Sequence, residues 1–221
     1  MPTPTAINAI SKPVLGDPPD IEGLGPAFDT IDGLLVSRFA TVSAMNAAIL
    51  APVPGQLAYA ADTGELYVRG TASWLSAVPR VKIKSTTEIV QNNVYLSDAA
   101  LFNSLEANSG YKVVFSVPFQ SNTTPGFKWK FTVPTGAAGY YRAERWKQGS
   151  GALVSSQMKS WDTTGDSAEP TDGTLQYMIF EGEIYTAATA GNIQFLWAQF
   201  ITNVSDTSVF FNATISTLKI K

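Results

Sequence analysis

Two stretches of strict alternation constrain this chain more than any other feature. In Tyr111–Phe119 the apolar Tyr111, Val113, Phe115, Val117 and Phe119 occupy every second position, and in Phe127–Val133 the apolar Phe127, Trp129, Phe131 and Val133 oppose Lys128, Lys130 and Thr132. Successive side chains of an extended strand point to opposite faces, so this period of two puts the rings on a buried face and the lysines on a wet one. Further strands are expected at Tyr140–Trp146, Ala152–Met158, Leu175–Tyr185, Asn192–Ile201 and Val209–Lys221, separated by Gly, Asn, Asp and Thr turns. About eight short strands without a long helix between them predict an all-β fold, with residues 80–221 forming an antiparallel, jelly-roll-like β-sandwich. The segment Ser97–Asn108 reads either as a helical turn or as a looped strand.

The N-terminal part is built differently. Residues 1–26 hold Pro2, Pro4, Pro13, Pro18, Pro19 and Pro26, with Gly16, Gly23 and Gly25 among them. Each proline removes a backbone donor and restricts its predecessor, so an extended arm is expected, held by a partner or by neighbouring copies. Phe28, Ile31, Leu34 and Leu35 then recur at helical spacing, and Ala40–Leu50 is rich in helix formers, with Ser43 as the expected cap and Pro52 as the stop. The arm and its short helices are assigned to residues 1–50. Leu57–Asp62 and Glu65–Arg69, joined through Thr63-Gly64, form a hairpin signal, and Trp74 is positioned to close over its face. This hairpin module, residues 51–79, is too small to stand alone and should lean on another copy or domain.

Composition closes most routes to catalysis. The 221 residues include no Cys and no His, which removes disulfides, thiolate nucleophiles, the commonest general base and the usual transition-metal ligands. No cofactor motif is present, and a non-enzymatic role is expected; a carboxylate glycosidase is the enzyme class that such a composition still permits. Net charge is −3 without any block of like charge, which disfavours nucleic acid as a partner. The N-terminus lacks the basic and apolar regions of a signal peptide, and no apolar run approaches a membrane span, so cytoplasmic synthesis without membrane insertion is expected. Charged residues make up only 15% of the chain, so its surface must be supplied by Ser, Thr, Asn, Gln and Gly or be hidden in an assembly.

Arg38-Phe39-Ala40-Thr41-Val42, Ala47-Ala48-Ile49, Pro54-Gly55-Gln56-Leu57-Ala58-Tyr59, Thr63-Gly64-Glu65-Leu66-Tyr67-Val68 and Ser73-Trp74 follow one another in an order that resembles a module of minor tail and fibre-like proteins of tailed bacteriophages. The resemblance covers about residues 38–76. The later residues Leu105, Ala107, Asn108 and Tyr111, then Phe131, Pro134, Gly136 and Ala137, then Gly191 and Trp197-Ala198-Gln199, resemble a phage-tail β-sandwich similar to the trimeric jelly rolls of complement and tumour-necrosis-factor-like proteins. The resemblance implies a homotrimer on the virion surface, made in the host cytoplasm and attached to other virion proteins through its N-terminal arm. A minor tail or fibre protein is the expected location, with a capsid decoration protein or head fibre as the alternative.

Four aromatics beside Gly-rich connections, Tyr140, Tyr141, Trp146 and Trp161, are candidate contacts for host cell-surface glycan, with core or interface packing as the competing reading. Trp129 and Trp197 lie in alternating runs and are assigned to the core. Glu181 and Glu183 share a strand face, which allows a carboxylate pair, although Gly182 between them and the single short separation favour two solvated strand residues. The acidic loop 162–172 has the oxygen ligands a hard cation needs but not the spacing of an EF-hand, and ordinary turn residues account for it too. No metal site is assigned.

Overall fold

The computed structural model describes residues 3–4, 11–12, 36–49, 54–62, 64–70, 74–149, 151–161, 167–169 and 171–221. The chain divides into two compact units, Met1–Val78 and Pro79–Lys221. Strands β1 (Thr3–Pro4) and β2 (Ser11–Lys12) pair antiparallel in the Pro-rich arm. Residues 5–10 and 13–35, including Phe28, Ile31, Leu34 and Leu35, lie outside the described residues.

In the first unit, β3 (Ser37–Phe39), helix α1 (Val42–Ala48), β4 (Leu57–Ala60), β5 (Glu65–Arg69) and β6 (Trp74–Ser76) form one module with strand order β3-β4-β5-β6. β3 runs parallel to β4 and the other pairs are antiparallel. The expected boundary at residue 50 therefore cuts through this module, because the segment assigned to the arm supplies both an edge strand and the covering helix. The cap also differs: Thr41, in extended conformation, accepts the Ala44 N–H at 3.0 Å, so the helix begins before Ser43. The Asp62 carboxylate accepts the Val42 N–H and ties the helix start to the hairpin turn. Met45 is buried with Ala58, Ala60, Tyr67 and Trp74, and the small Ala58 and Ala60 let the helix lie close to the sheet. The hairpin's apolar face is thus covered from within its own module, and Trp74 contributes as part of a third strand.

The second unit holds β7 (Arg80–Ile83), β8 (Glu88–Val90), β9 (Leu96–Leu105), β10 (Gly110–Ser121), β11 (Phe127–Thr132), β12 (Ala138–Lys147), β13 (Leu153–Ser160), β14 (Ser167–Glu169), β15 (Leu175–Tyr185), β16 (Gly191–Gln199), β17 (Thr207–Val209) and β18 (Thr214–Lys219). The large sheet runs β13-β12-β15-β10 and continues with β17 and β8 at one end and with β18 and β7 at the other; the small sheet runs β14-β11-β16-β9. From β9 onward the chain changes sheet at every connection except β12–β13 and β17–β18, which stay in the large sheet. This wrapping is that of an antiparallel jelly-roll-like sandwich, and the fold is all-β as the alternation predicts. The ambiguous Ser97–Asn108 belongs largely to β9. The expected strand Val209–Lys221 is two strands, because Asn212 adopts a left-handed φ of 69° and turns the chain.

The predicted inner face of β10 is the core. Val113, Phe115, Val117 and Phe119 are fully buried, as are Phe127 and Trp129 of β11, and Phe131 is nearly so. Phe131 lies 4.9 Å from Phe115, 5.0 Å from Trp161, 5.1 Å from Tyr141 and 5.2 Å from Phe180, ring centre to ring centre. The expected wet face of β11 is only partly wet: Lys128 and Lys130 both direct Nζ at the Tyr95 ring, at 4.4 and 4.3 Å.

The residues of the sandwich resemblance have structural work to do. Asn108 takes the left-handed conformation in the β9–β10 turn, and the Tyr111 hydroxyl accepts the Glu106 N–H at 2.9 Å. Burial pushes the Tyr111 phenol up from its ordinary value. Gln199, fully buried, donates to the carbonyls of Val90 and Ser205 and accepts the Asn203 N–H, which fixes the loop after β16. Phe131→Ala should lower unfolding free energy by about 3–5 kcal/mol at an unchanged m-value in urea titration.

Candidate assembly surface

The register of the large sheet determines what its outer face displays. Met158 of β13 stands opposite Arg142 of β12, which faces Glu181 of β15, then Val114 of β10, Ser216 of β18 and Val81 of β7. The next row runs Ser156, Glu144, Ile179, Ser116, Thr214 and Ile83. On the other side of the Met158 row, Tyr140, Glu183, Lys112 and Leu218 align. Trp146, Tyr177 and Pro118 align beyond Glu144.

The charges on this face largely neutralise one another. Lys112 Nζ lies 2.8 Å from Glu181 Oε1, Arg142 Nε lies 3.2 Å from Glu144 Oε1, and the Tyr185 hydroxyl donates to Glu183 Oε2 at 2.7 Å. What remains prominent is apolar: Val81, Ile83, Tyr140 and Met158 are each more than half exposed.

Strand β7 is built inside out. Val81 and Ile83 are 56% and 62% exposed, whereas Lys82 points inward with Nζ 3.4 Å from the Phe102 ring centre. Burial lowers the Lys82 pKa from its ordinary value. Because strand parity is two, slipping the register by one residue would bury the aliphatics and free the cations. The observed register does the reverse. Inward charges blunt a sheet edge against uncontrolled pairing, while exposed aliphatics form a surface suited to a specific partner.

The four aromatic candidates separate by the same parity. Tyr140 is exposed, so its neighbour Tyr141 points inward and joins the core. Trp161 is also core, fully buried after β13, with its indole N–H donating to the Glu183 carbonyl at 2.9 Å. Neither can present a flat face to a glycan. Trp146 is half-buried on the outer face beside Tyr177, so of the four only Tyr140 and Trp146 lie on one surface. Close approach of β12 and β15 accompanies this packing: a Cβ at Gly182 would overlap the Tyr140 carbonyl oxygen and the Tyr141 Cα.

Glu181 and Glu183 do lie on one face, but each is engaged by its own neighbour, Lys112 and Tyr185 respectively. The hydrogen bond from Lys112 holds the Glu181 carboxyl below its ordinary value of 4.5. Of the acidic loop, residues 162–166 and 170 lie outside the described residues. Asp172 accepts from Thr174 and Gln176 and pairs with Lys147, contacts that close a turn and depress its pKa. Among the described residues no cluster of three potential metal ligands occurs, and no helix is long and apolar enough to cross a membrane. An open cleft of about 650 Å³ near the β8–β17 end is lined by Gln91, Gln120, Asn122, Asp206, Ile89 and Val204 among others.

Sequence reasoning missed Val81, Ile83 and Met158. The legible signal was Arg80-Val81-Lys82-Ile83-Lys84, a clean alternation that does not say which set faces inward.

No family model and no curated protein matches the chain. Among solved structures it is similar to infectious bursal disease virus of the Gt strain, at 12% identity over 68% of this chain and 44% of that chain, with a TM-score of 0.16. The VP2 subviral particle of that virus gives 12%, 70%, 46% and 0.16 in the same terms. Its derived T=1 particles give 13%, 76%, 47% and 0.18. The chain spans less than half the length of these proteins, and the TM-scores lie below those of a shared fold.

Trp161→Ala should cost about 3–5 kcal/mol of stability, whereas Tyr140→Ala should stay within about 0.5 kcal/mol, both read by denaturant titration. Glu181, with its folded pKa depressed, contributes stability above its unfolded pKa and loses it as pH falls through the folded value. Glu181→Gln should therefore flatten the loss of stability below pH 4.5, measured as melting temperature against pH.

Proposed function

We propose that this chain is a structural component of a tailed-bacteriophage virion, a homotrimeric minor tail or fibre protein that projects its sandwich as a knob. The observation that carries the assembly reading is β7, which turns Val81 and Ile83 outward and Lys82 inward. A sheet face whose ion pairs are satisfied internally and whose free side chains are apolar suits burial against an identical copy. The tail location rests on the resemblance of residues 38–76, and the Pro-rich arm is the segment assigned to attachment on the particle. The work of such a protein is assembly, with edges and apolar faces buried between copies to make a rigid, protease-resistant body.

Light scattering of the full-length protein at micromolar concentration should give the mass of three chains. Val81→Asp with Ile83→Asp should give a monomer with an unchanged circular dichroism spectrum. A parent that is monomeric would remove the trimer from the proposal. Antibody labelling of whole particles should decorate tails; label on heads would replace the tail reading with a capsid decoration protein or head fibre.

A further inference from the structure

Lys84 follows β7 in the large sheet, Asp98 belongs to β9 in the small sheet, and the two side chains meet inside the sandwich at 1% and 0% exposure. Lys84 Nζ lies 2.9 Å from Asp98 Oδ2 and 2.7 Å from Glu88 Oε2, the latter off the line of an ideal hydrogen bond. As a stabilising device this is poor, because desolvating a buried ion pair offsets most of its Coulomb attraction. The surroundings of Asp98 suggest another use. Its second oxygen, Oδ1, accepts the backbone N–H groups of Ala100 at 2.9 Å and Leu101 at 3.1 Å. One carboxyl oxygen thus faces an amine while the other sits between two fixed donors, the arrangement that stabilises an oxyanion when a nucleophile adds to the carbon between them.

Both partners are pinned. The Lys84 N–H donates to Ala213 O at 2.8 Å, and Lys84 O accepts the Asn212 N–H at 2.9 Å. Asp98 O accepts from Gln194 Nε2 at 3.1 Å. Restricting amine and carboxyl to contact distance supplies most of the entropy that condensation in water would cost. Glu88, 31% exposed, touches the amine on one side and reaches solvent on the other, so it can carry protons and leave a path for water.

We propose that Lys84 and Asp98 condense into an intramolecular isopeptide bond that joins the two sheets, with Glu88 transferring the protons. Nζ in its amine form adds to Cγ of the protonated Asp98 carboxyl; the C–N bond forms and the carbonyl π pair moves to Oδ1, held by the Ala100 and Leu101 N–H groups. Glu88 accepts a proton from Nζ and returns it to the Oδ2 hydroxyl, which departs as water while the pair on Oδ1 re-forms the carbonyl. One amide bond is made, one C–O bond is broken and one water is released. Glu88 ends as it began, and no oxidant, reductant or cofactor takes part. In a chain without cysteine, this gives the sandwich a covalent clamp that no reducing compartment can open. The proposal rests on the sandwich interior alone and is independent of the virion reading.

Intact-mass spectrometry of the folded full-length protein should find one water less than the sequence requires. Tryptic mapping should yield a branched peptide joining Lys84 to Asp98, with no cleavage after Lys84. Glu88→Gln should retain the full sequence mass while keeping the parent's circular dichroism, and Asp98→Asn should lose ammonia in place of water if it cross-links. A parent at full sequence mass after prolonged incubation would overturn the proposal. So would a lost water without the branched peptide, since an aspartyl succinimide at Asp172-Gly173 gives the same mass.

Discussion

The contact between the rings of Phe131 and Phe115, 4.9 Å apart, is where the two sheets become one core. Phe131 lies on β11 of the small sheet and Phe115 on β10 of the large one, and Phe180, Phe195, Tyr141 and Trp161 gather around them. Each ring buries a large apolar area, and tilted or edge-to-face pairing adds a smaller, directional term. The direction matters because it sets the parity of every strand that contributes a ring. With Phe131 and Phe115 inward, Lys112 and Lys130 must point away, Tyr141 must enter and Tyr140 must leave. The exposed face of the large sheet is thus the complement of the aromatic core, fixed by the same alternation.

Polar groups hold the places where rings cannot reach. Ser121 and Thr207 share a buried hydrogen bond between β10 and β17, and Asn103 donates to Thr217 across the sheets. Arg145, buried at the margin of the large sheet, donates to Gln176, which in turn donates to Asp172. Such pairs are worth little net energy when made but are costly to break inside the protein, so they select one register among several that the apolar pattern would tolerate.

The fold was legible wherever alternation was long. β10, β11 and the pairs built on them follow directly from the period of two, and the core assignments of Trp129 and Trp197 follow with them. Short strands were not legible: β8, β14 and β17 span three residues each and exist because longer neighbours offer them a ladder. The site was less legible for a related reason. Parity divides a strand into two sets but does not orient them, so Tyr140 and Tyr141 looked alike, and the alternation around Val81 and Ile83 did not say which set faces out. Trp161 lies outside any strand, and its burial depends on Phe131 and Tyr141, which are distant in sequence. Lys84, Glu88 and Asp98 carry no local signal, because what makes them notable is the meeting of two sheets.

β10 is completed on one side by β15 and on the other by β18, the last strand of the sandwich to be translated. Until Thr214–Lys219 has left the ribosome, the central strand of the large sheet has an open edge and the core aromatics lack Ile215 beside Phe115. The sandwich therefore closes only once β18 is available, and the nascent chain must remain unaggregated until then. Loss of β18 would leave β10 unpaired on that side from Tyr111 to Ser116, which makes this short strand as decisive for folding as the aromatic centre.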